Sequence, residues 1–244
     1  MLDSHIKIEG FMPYIFGIPS YGLFVFLGIA AGILYYLIDA RKRNVKNEGA
    51  VLIVASALIF GAVGSKIPLL LEYRNLAALI SGKSIVGGLI GGAAGVIIVK
   101  KAFGIKLKLG NIIAPAIALG MSIGRLGCFF NGCCYGVASS WGVDFGDGLL
   151  RLPTQLFESA FHFTAFLILH NLKGKVLIKG ILFKYYILAY FIFRFITEFI
   201  RENQTVWGGM SIYQIICALG IVYVSFIIWK ENKVWASSQK SVDI

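Results

Sequence analysis

Charge is scarce in this chain. Only 14% of its 244 residues are Asp, Glu, Lys or Arg. A soluble domain of this length carries nearer a quarter. Long polar linkers and low-complexity stretches are also lacking, which argues for one domain. Histidine occurs three times. None of His5, His162 and His170 falls among the polar clusters described below, so a Ser–His–Asp hydrolase has no well-placed base. A basic stretch ahead of the first apolar run is missing too, so no cleaved signal peptide is expected and the first apolar segment should remain in the protein. Four cysteines in such a chain do not define a disulfide scaffold.

What the chain has instead is apolar length. It is 58% hydrophobic, with a mean hydropathy of +0.80. Several windows of about 20 residues, the length needed to cross a bilayer, are nearly free of charge. We expect an all-α polytopic membrane protein with about seven transmembrane helices, near residues 19–38, 50–71, 85–99, 111–130, 155–172, 180–200 and 210–229. The third is short, and its glycines (Gly87, Gly88, Gly91, Gly92, Gly95) suit close helix packing better than lipid exposure. A single transmembrane domain over 1–230, with a short polar tail over 231–244, follows.

The formal net charge of +11 could suggest nucleic acid, but its distribution does not. With the spans alternating sides, one side receives Arg41, Lys42, Arg43, Lys46, Lys100, Lys101, Lys106, Lys108, Lys173, Lys175, Lys179, Lys230, Lys233 and Lys240. The other receives Lys7, Arg74, Lys83, Arg151 and Arg201. Fourteen against five is the asymmetry of the positive-inside rule. It predicts an outer N-terminus and a cytoplasmic C-terminus, with the basic residues facing membrane lipid and no nucleic-acid partner.

Against this background the stretch Gly124-Arg125-Leu126-Gly127-Cys128-Phe129-Phe130-Asn131-Gly132-Cys133-Cys134-Tyr135-Gly136 stands out. An arginine at membrane depth is unfavourable by about 2.5–3.5 kcal/mol on insertion scales. With four glycines, an asparagine and three thiols, it describes a lined cavity rather than a lipid-facing wall. The predicted topology brings further polar residues to the same outer side: Tyr21 at the start of span one, Thr154, Gln155 and Glu158 at the start of span five, and Glu198 and Arg201 at the end of span six. Tyr190, Arg194, Glu198 and Arg201 are spaced to share one helical face, with Arg194 and Glu198 able to pair. They read either as a structural ion pair or as an anion clamp, since guanidinium groups bind phosphate through two parallel hydrogen bonds. Arg125 could supply a second clamp. Arginines in an outer-leaflet pocket suggest a phospholipid headgroup. Lys66 could snorkel or line the pocket, and Lys184 reads as an inner interface anchor.

The C-x4-C-C run is not a common zinc spacing and has no histidine nearby, so no metal and no cofactor is expected. A disulfide from Cys128 is sterically allowed on an oxidising face, and small soft side chains lining a lipid pocket are the plain reading. Cys217 reads as packing. The glycines of residues 132–154 predict a flexible outer loop.

Taken together, these motifs resemble the bacterial prolipoprotein diacylglyceryl transferases. The run GRLGCFFNGCCYG resembles their signature. Ser20-Tyr21-Gly22, Gly64-Ser65-Lys66, the stretch from Gly82 to Gly92, Pro153-Thr154-Gln155-Leu156-Phe157-Glu158, Arg194 through Arg201 and Gly209 through Gln214 resemble further motifs in the same order. The resemblance covers about residues 18–225. It implies a multi-pass protein of the bacterial cell membrane with its active site on the outer side. The implied reaction moves a diacylglyceryl group from phosphatidylglycerol to the thiol of the lipobox cysteine of a preprolipoprotein, and glycerol phosphate leaves. Arg125 and Arg194 would hold the phosphate, with Glu198 as candidate base. Tyr21, Lys66, Asn131, Gly136, Gln155, Glu158 and Arg201 would shape the substrate pocket. The chain departs from the family pattern where Val86 and Leu152 stand in place of histidines, Cys128 and Cys133 in place of an asparagine and an acidic residue, and Lys66 in place of an arginine. Two alternatives remain: a transferase of the same fold with another acceptor, and a lipid-binding or transport protein without chemistry. A transporter should show polar residues reaching both faces and a paired pseudo-repeat, and neither is evident.

Overall fold

A computed structural model describes residues 12–45, 47–73, 84–202 and 205–240. His5, Lys7, Lys46, Arg74, Gly82 and Lys83, all used in the sequence reading, lie outside the described residues. The described residues are mostly helical: α1 (Ser20–Lys42), α2 (Asn47–Gly64), α3 (Ile67–Tyr73), α4 (Ile85–Ala102), α5 (Gly110–Phe130), α6 (Thr154–Leu172), α7 (Ile181–Thr197) and α8 (Ile212–Lys240). The described residues also form three short hairpins, one before α1 and two between helices: β1 (Tyr14–Ile15) with β2 (Ile18–Pro19), β3 (Ala138–Asp144) with β4 (Leu150–Arg151), and β5 (Thr205–Trp207) with β6 (Met210–Ser211).

Among the described residues, five stretches are long and apolar enough to cross a membrane: Ser20–Lys42, Gly49–Leu70, Ile85–Ala102, Gly110–Phe130 and Ile212–Ser238. The other two expected spans correspond to α6 and α7. Helix α7 has 17 residues, and α6 carries Thr154, Gln155, Glu158, Ser159 and His162 in its first half. These polar residues, all buried, reduce its apolar character. The partition of side chains is that of a protein turned outward. Phe26, Ile59, Val222 and Tyr223 are exposed on their helices, whereas Arg125, Gln155, Glu158, His162, Arg194 and Glu198 are buried. In water that arrangement forfeits apolar burial, and in lipid it is the favourable one.

The helices group into two compact units. In one, α1 meets α5 through small residues. Gly28 faces the carbonyl of Gly120 with no room for a Cβ, and a Cβ on Gly32 would lie 2.9 Å from the carbonyl oxygen of Ala116. Such close backbone approach replaces the hydrophobic driving force that lipid removes. At the far end of these helices Lys173 donates to Asp39 Oδ1 at 2.6 Å and to the Tyr35 hydroxyl at 2.7 Å.

In the other unit, α2 packs on α4 along a glycine seam. A Cβ on Gly64 would lie 2.6 Å from the Gly87 carbonyl oxygen and 2.7 Å from Gly91 Cα. This is the close packing expected of the third span, although the helix extends to Ala102. The second span is broken rather than continuous. Helix α2 ends at Gly64, α3 restarts at Ile67, and Ser65 and Lys66 occupy the turn, with the Ser65 carbonyl accepting from the Ser84 amide at 2.8 Å. Gly220 of α8 leaves space for the ring of Phe191 on α7. Lys184 pairs with Glu231 at 2.8 Å, and α8 runs on from its apolar stretch into residues 231–240 without a break.

The loop of residues 132–154 holds regular structure where its glycines suggested flexibility. Residues 138–151 form the β3–β4 hairpin. Arg151 bridges Asp147 and Glu202, each at 2.6 Å, and its guanidinium lies 4.7 Å from the centre of the Tyr135 ring. Phe145 is fully buried, stacked on Tyr135 and edge-on to Phe129. The glycines serve backbone geometry here: Gly146 and Gly148 take positive φ between the strands, and Gly142 sits at the irregularity within β3. Gly142, at φ +147°, has no room for a Cβ against the Arg151 backbone.

Candidate functional site

Two buried guanidinium–carboxylate centres hold most of the residues singled out from the sequence. The first belongs to α5, α6 and the segment after α7. Arg125, in the last two turns of α5, places Nη2 2.7 Å from Glu158 Oε2. Glu158 sits in the second turn of α6, and the same oxygen lies 3.5 Å from Arg201 Nη1. One carboxylate thus faces two guanidinium groups. All three side chains are at least nine-tenths buried, so two guanidinium groups and a carboxylate meet away from bulk water. Buried guanidinium groups persist only where other groups or an anion stabilise them.

The first turn of α6 ties this centre to the signature loop. Gln155 Nε2 donates to the Cys133 carbonyl at 2.8 Å, and Thr154 Oγ1 donates to the Cys134 carbonyl at 2.8 Å. Arg201 Nη1 reaches Thr154 Oγ1 at 3.4 Å. The Gln155 side-chain oxygen is buried and accepts no hydrogen bond among the described residues. Gly136 explains its own identity. It pairs with Arg201 as an isolated bridge, and a Cβ would meet the Ile200 carbonyl oxygen at 2.5 Å and Thr154 Cγ2 at 2.9 Å. Tyr21, half-buried in the first turn of α1, has its backbone against Gly127. Asn131 is half-buried just past the end of α5. Arg125 Nη1 also lies 3.6 Å from Cys128 Sγ, and Cys128, Cys133 and Cys134 bring their sulfur atoms within 4.8 Å of one another. The C-x4-C-C spacing did not indicate that closeness. It arises because the chain turns back at Gly132 and Cys134, both at φ 65°.

The second centre belongs to α7 and the start of α8. Arg194 Nη1 pairs with Glu198 Oε2 at 2.7 Å, as their i, i+4 spacing predicts. Glu198 Oε1 accepts from the Ser211 hydroxyl at 2.7 Å. The Arg194 guanidinium lies 5.2 Å from the centre of the Tyr213 ring, within cation–π range. Ser211 in turn donates its amide to Gln214 Oε1 at 2.9 Å. Both carboxylate oxygens of Glu198 are engaged, so as a base it would first have to surrender a partner. Arg201 does not continue this helical face as its spacing suggested. Helix α7 ends at Thr197, a 3-10 turn spans Glu198–Ile200, and Arg201 turns to Glu158 instead. Lys66 lies half-buried in the α2–α3 break. Ser211 and Tyr213 are partners that composition gave no reason to select.

The family model for Prolipoprotein diacylglyceryl transferase matches residues 11–230. The chain belongs to this family. Among similar curated proteins is a phosphatidylglycerol–prolipoprotein diacylglyceryl transferase 2 of Clostridium perfringens, 30% identical over 242 residues that cover 90% of this chain and 93% of the relative. A phosphatidylglycerol–prolipoprotein diacylglyceryl transferase of Finegoldia magna is 30% identical, covering 88% and 92%. One of Clostridium tetani is 31% identical, covering 76% and 82%. The family match takes in both guanidinium–carboxylate centres and the whole signature run, so the diacylglyceryl transferase resemblance extends across nearly the full chain.

Proposed function

We propose that the protein is a multi-pass transferase of the bacterial cell membrane that moves the diacylglyceryl group of phosphatidylglycerol to the cysteine thiol of a prolipoprotein lipobox. The observation that carries this reading is the pair of buried arginine–glutamate centres, Arg125–Glu158–Arg201 and Arg194–Glu198, in a chain matched to the family over residues 11–230. Phosphatidylglycerol offers a phosphodiester anion, and a buried guanidinium binds it and stabilises charge building on the departing phosphate oxygen. Arg125 and Arg194 take that role. Glu158 and Glu198 hold the two arginines in place between turnovers. Tyr21, Lys66, Asn131, Gly136, Gln155 and Arg201 bind or shape substrate.

The thiolate of the acceptor attacks the terminal glyceryl carbon. A carbon–sulfur bond forms, the carbon–oxygen bond to phosphate breaks, and glycerol phosphate departs with the electron pair. Seven spans, an outer N-terminus, a cytoplasmic C-terminus and an outer active site complete the reading. The charge asymmetry of the loops supports them.

The direct test combines purified protein in detergent, phosphatidylglycerol and a lipobox peptide. Glycerol phosphate release and a diacylglyceryl mass gain on the peptide are expected together. Arg125→Ala and Arg194→Ala are each expected to lower turnover by about 10²–10³-fold in protein that still inserts. Full activity in either variant would sink the phosphate assignment for that arginine. Release without a mass gain would redirect the search to another acceptor.

A further inference from the structure

The three signature cysteines have no assigned role in the reaction above, yet their geometry is that of a ligand set. Their sulfur atoms all lie within 4.8 Å of one another. Three thiolates around a tetrahedral zinc ion, at about 2.3 Å each, stand roughly 3.8 Å apart. Shifts of about 1 Å or less would close the set around an ion. The sulfurs grade from a buried side to an open one: Cys128 is buried, Cys133 half-buried and Cys134 exposed. The backbone is committed to this arrangement. Cys134 adopts φ 65°, which is uncommon for a residue with a Cβ, and the carbonyls of Cys133 and Cys134 are pinned by Gln155 and Thr154. Anchoring of this kind is what holds metal ligands in place.

The donor set selects the ion. Three thiolates are soft ligands, and three sulfurs with one side open suit a four-coordinate zinc(II). Arg125 Nη1 lies 3.6 Å from Cys128 Sγ, and a guanidinium beside a thiol favours its thiolate form. We infer that Cys128, Cys133 and Cys134 bind a zinc ion whose fourth position, on the open Cys134 side, takes the thiol of the acceptor peptide. Three protein ligands with one open position is the arrangement of a catalytic rather than a structural zinc site.

The acceptor role rests on the transferase reading proposed above. On binding, the acceptor S–H loses its proton to water, since metal coordination deprotonates a thiol. The metal-bound sulfur then forms the carbon–sulfur bond as the carbon–oxygen bond breaks toward phosphate, and zinc keeps its oxidation state throughout. Val86 and Leu152 offer no imidazole to take that proton, and the zinc supplies the activation.

The test uses full-length protein in detergent, reduced, stripped of metal and titrated with cobalt(II). We expect one cobalt per chain, a sulfur-to-cobalt charge-transfer band and tetrahedral d–d bands, displaced by zinc. Cys134→Ser, at an exposed position, should weaken binding by more than the roughly 10–100-fold that outer-shell partners contribute. Cys217→Ser, in α8, should bind as the parent does. A lipobox peptide with cysteine should shift the d–d bands with no lipid present, and its serine counterpart should not. Absence of one-to-one binding in folded, reduced protein, or equal binding by Cys134→Ser, overturns the site. A cobalt spectrum blind to the cysteine peptide overturns the acceptor position. Full transfer in metal-free protein removes the metal while leaving the transferase reading intact. A spectral response to peptide without glycerol phosphate release does the reverse.

Discussion

Glu158 is the residue on which the first centre turns. Its single Oε2 atom faces both Arg125 and Arg201, so its loss removes one carboxylate from two buried guanidinium groups at once. We expect Glu158→Ala to destabilise the protein by about 3–5 kcal/mol, the usual cost of breaking a buried pair, read as a fall in the thermal midpoint of the detergent-solubilised protein. An unchanged midpoint would mean that the arginines are neutralised by something else. Gly136→Ala is expected to lose about 1–3 kcal/mol by overpacking, because the Ile200 carbonyl occupies the place of the new methyl group. At this scale the sequence was legible where partners are close in the chain. The Arg194–Glu198 pair follows from four-residue spacing. The Glu158–Arg201 pair did not, because it depends on where α7 stops, and nothing in Thr197-Glu198-Phe199 marks that end as a cap would. The cysteine cluster was hidden for a related reason. Two left-handed residues reverse the chain there, and glycine announces only one of them.

Among elements, the β3–β4 hairpin and the α2–α4 seam carry opposite lessons. The glycines of the seam stated their purpose, since five of them in one apolar span leave little else to explain. The glycines of the hairpin misled, because turn glycine and flexible glycine look alike until Phe145 and Arg151 are seen to fill the interior. Replacing Gly91 with valine should part the seam, lowering the thermal midpoint far more than the same change at Gly22, which has open space around it and no left-handed backbone. Acid should loosen the hairpin. Burial pushes the Asp147 carboxyl up, but the Arg151 hydrogen bond and charge outweigh this and hold it below the usual aspartate range. A depressed folded value means that the pair stabilises the hairpin above the ordinary aspartate pKa and ceases to as pH falls through the lowered one. Cleavage within residues 144–149, read with an acid-active protease at low pH and a neutral one near pH 7, should therefore rise only below about pH 4, and Asp147→Asn should show raised cleavage at neutral pH too.

For the whole molecule, apolar length and the distribution of basic residues gave the class and the order of the helices. Helices α6 and α7 are the hardest to recognise, since buried polar side chains dilute the apolar character of α6 and α7 is only 17 residues long. Orientation is open to direct measurement. Phe16 at the tip of the β1–β2 hairpin and Phe103 after α4 are both exposed. In a background free of the native thiols, a cysteine at position 16 is expected to react with a membrane-impermeant reagent added outside intact cells, and one at position 103 only after lysis. The opposite pattern would invert the proposed topology.

The spacing of the two ion pairs along the chain also sets a timetable. Arg194 and Glu198 leave the ribosome four residues apart, so that arginine has its counter-charge within one turn of helix. Arg125 precedes Glu158 by 33 residues. At about 5–20 residues per second it must wait roughly 2–7 s for Glu158. During that interval α5 carries its charge, without that carboxylate, into a membrane that disfavours it. Helix α5 should therefore linger at the insertion machinery until α6 arrives, and the two should enter the bilayer as a pair.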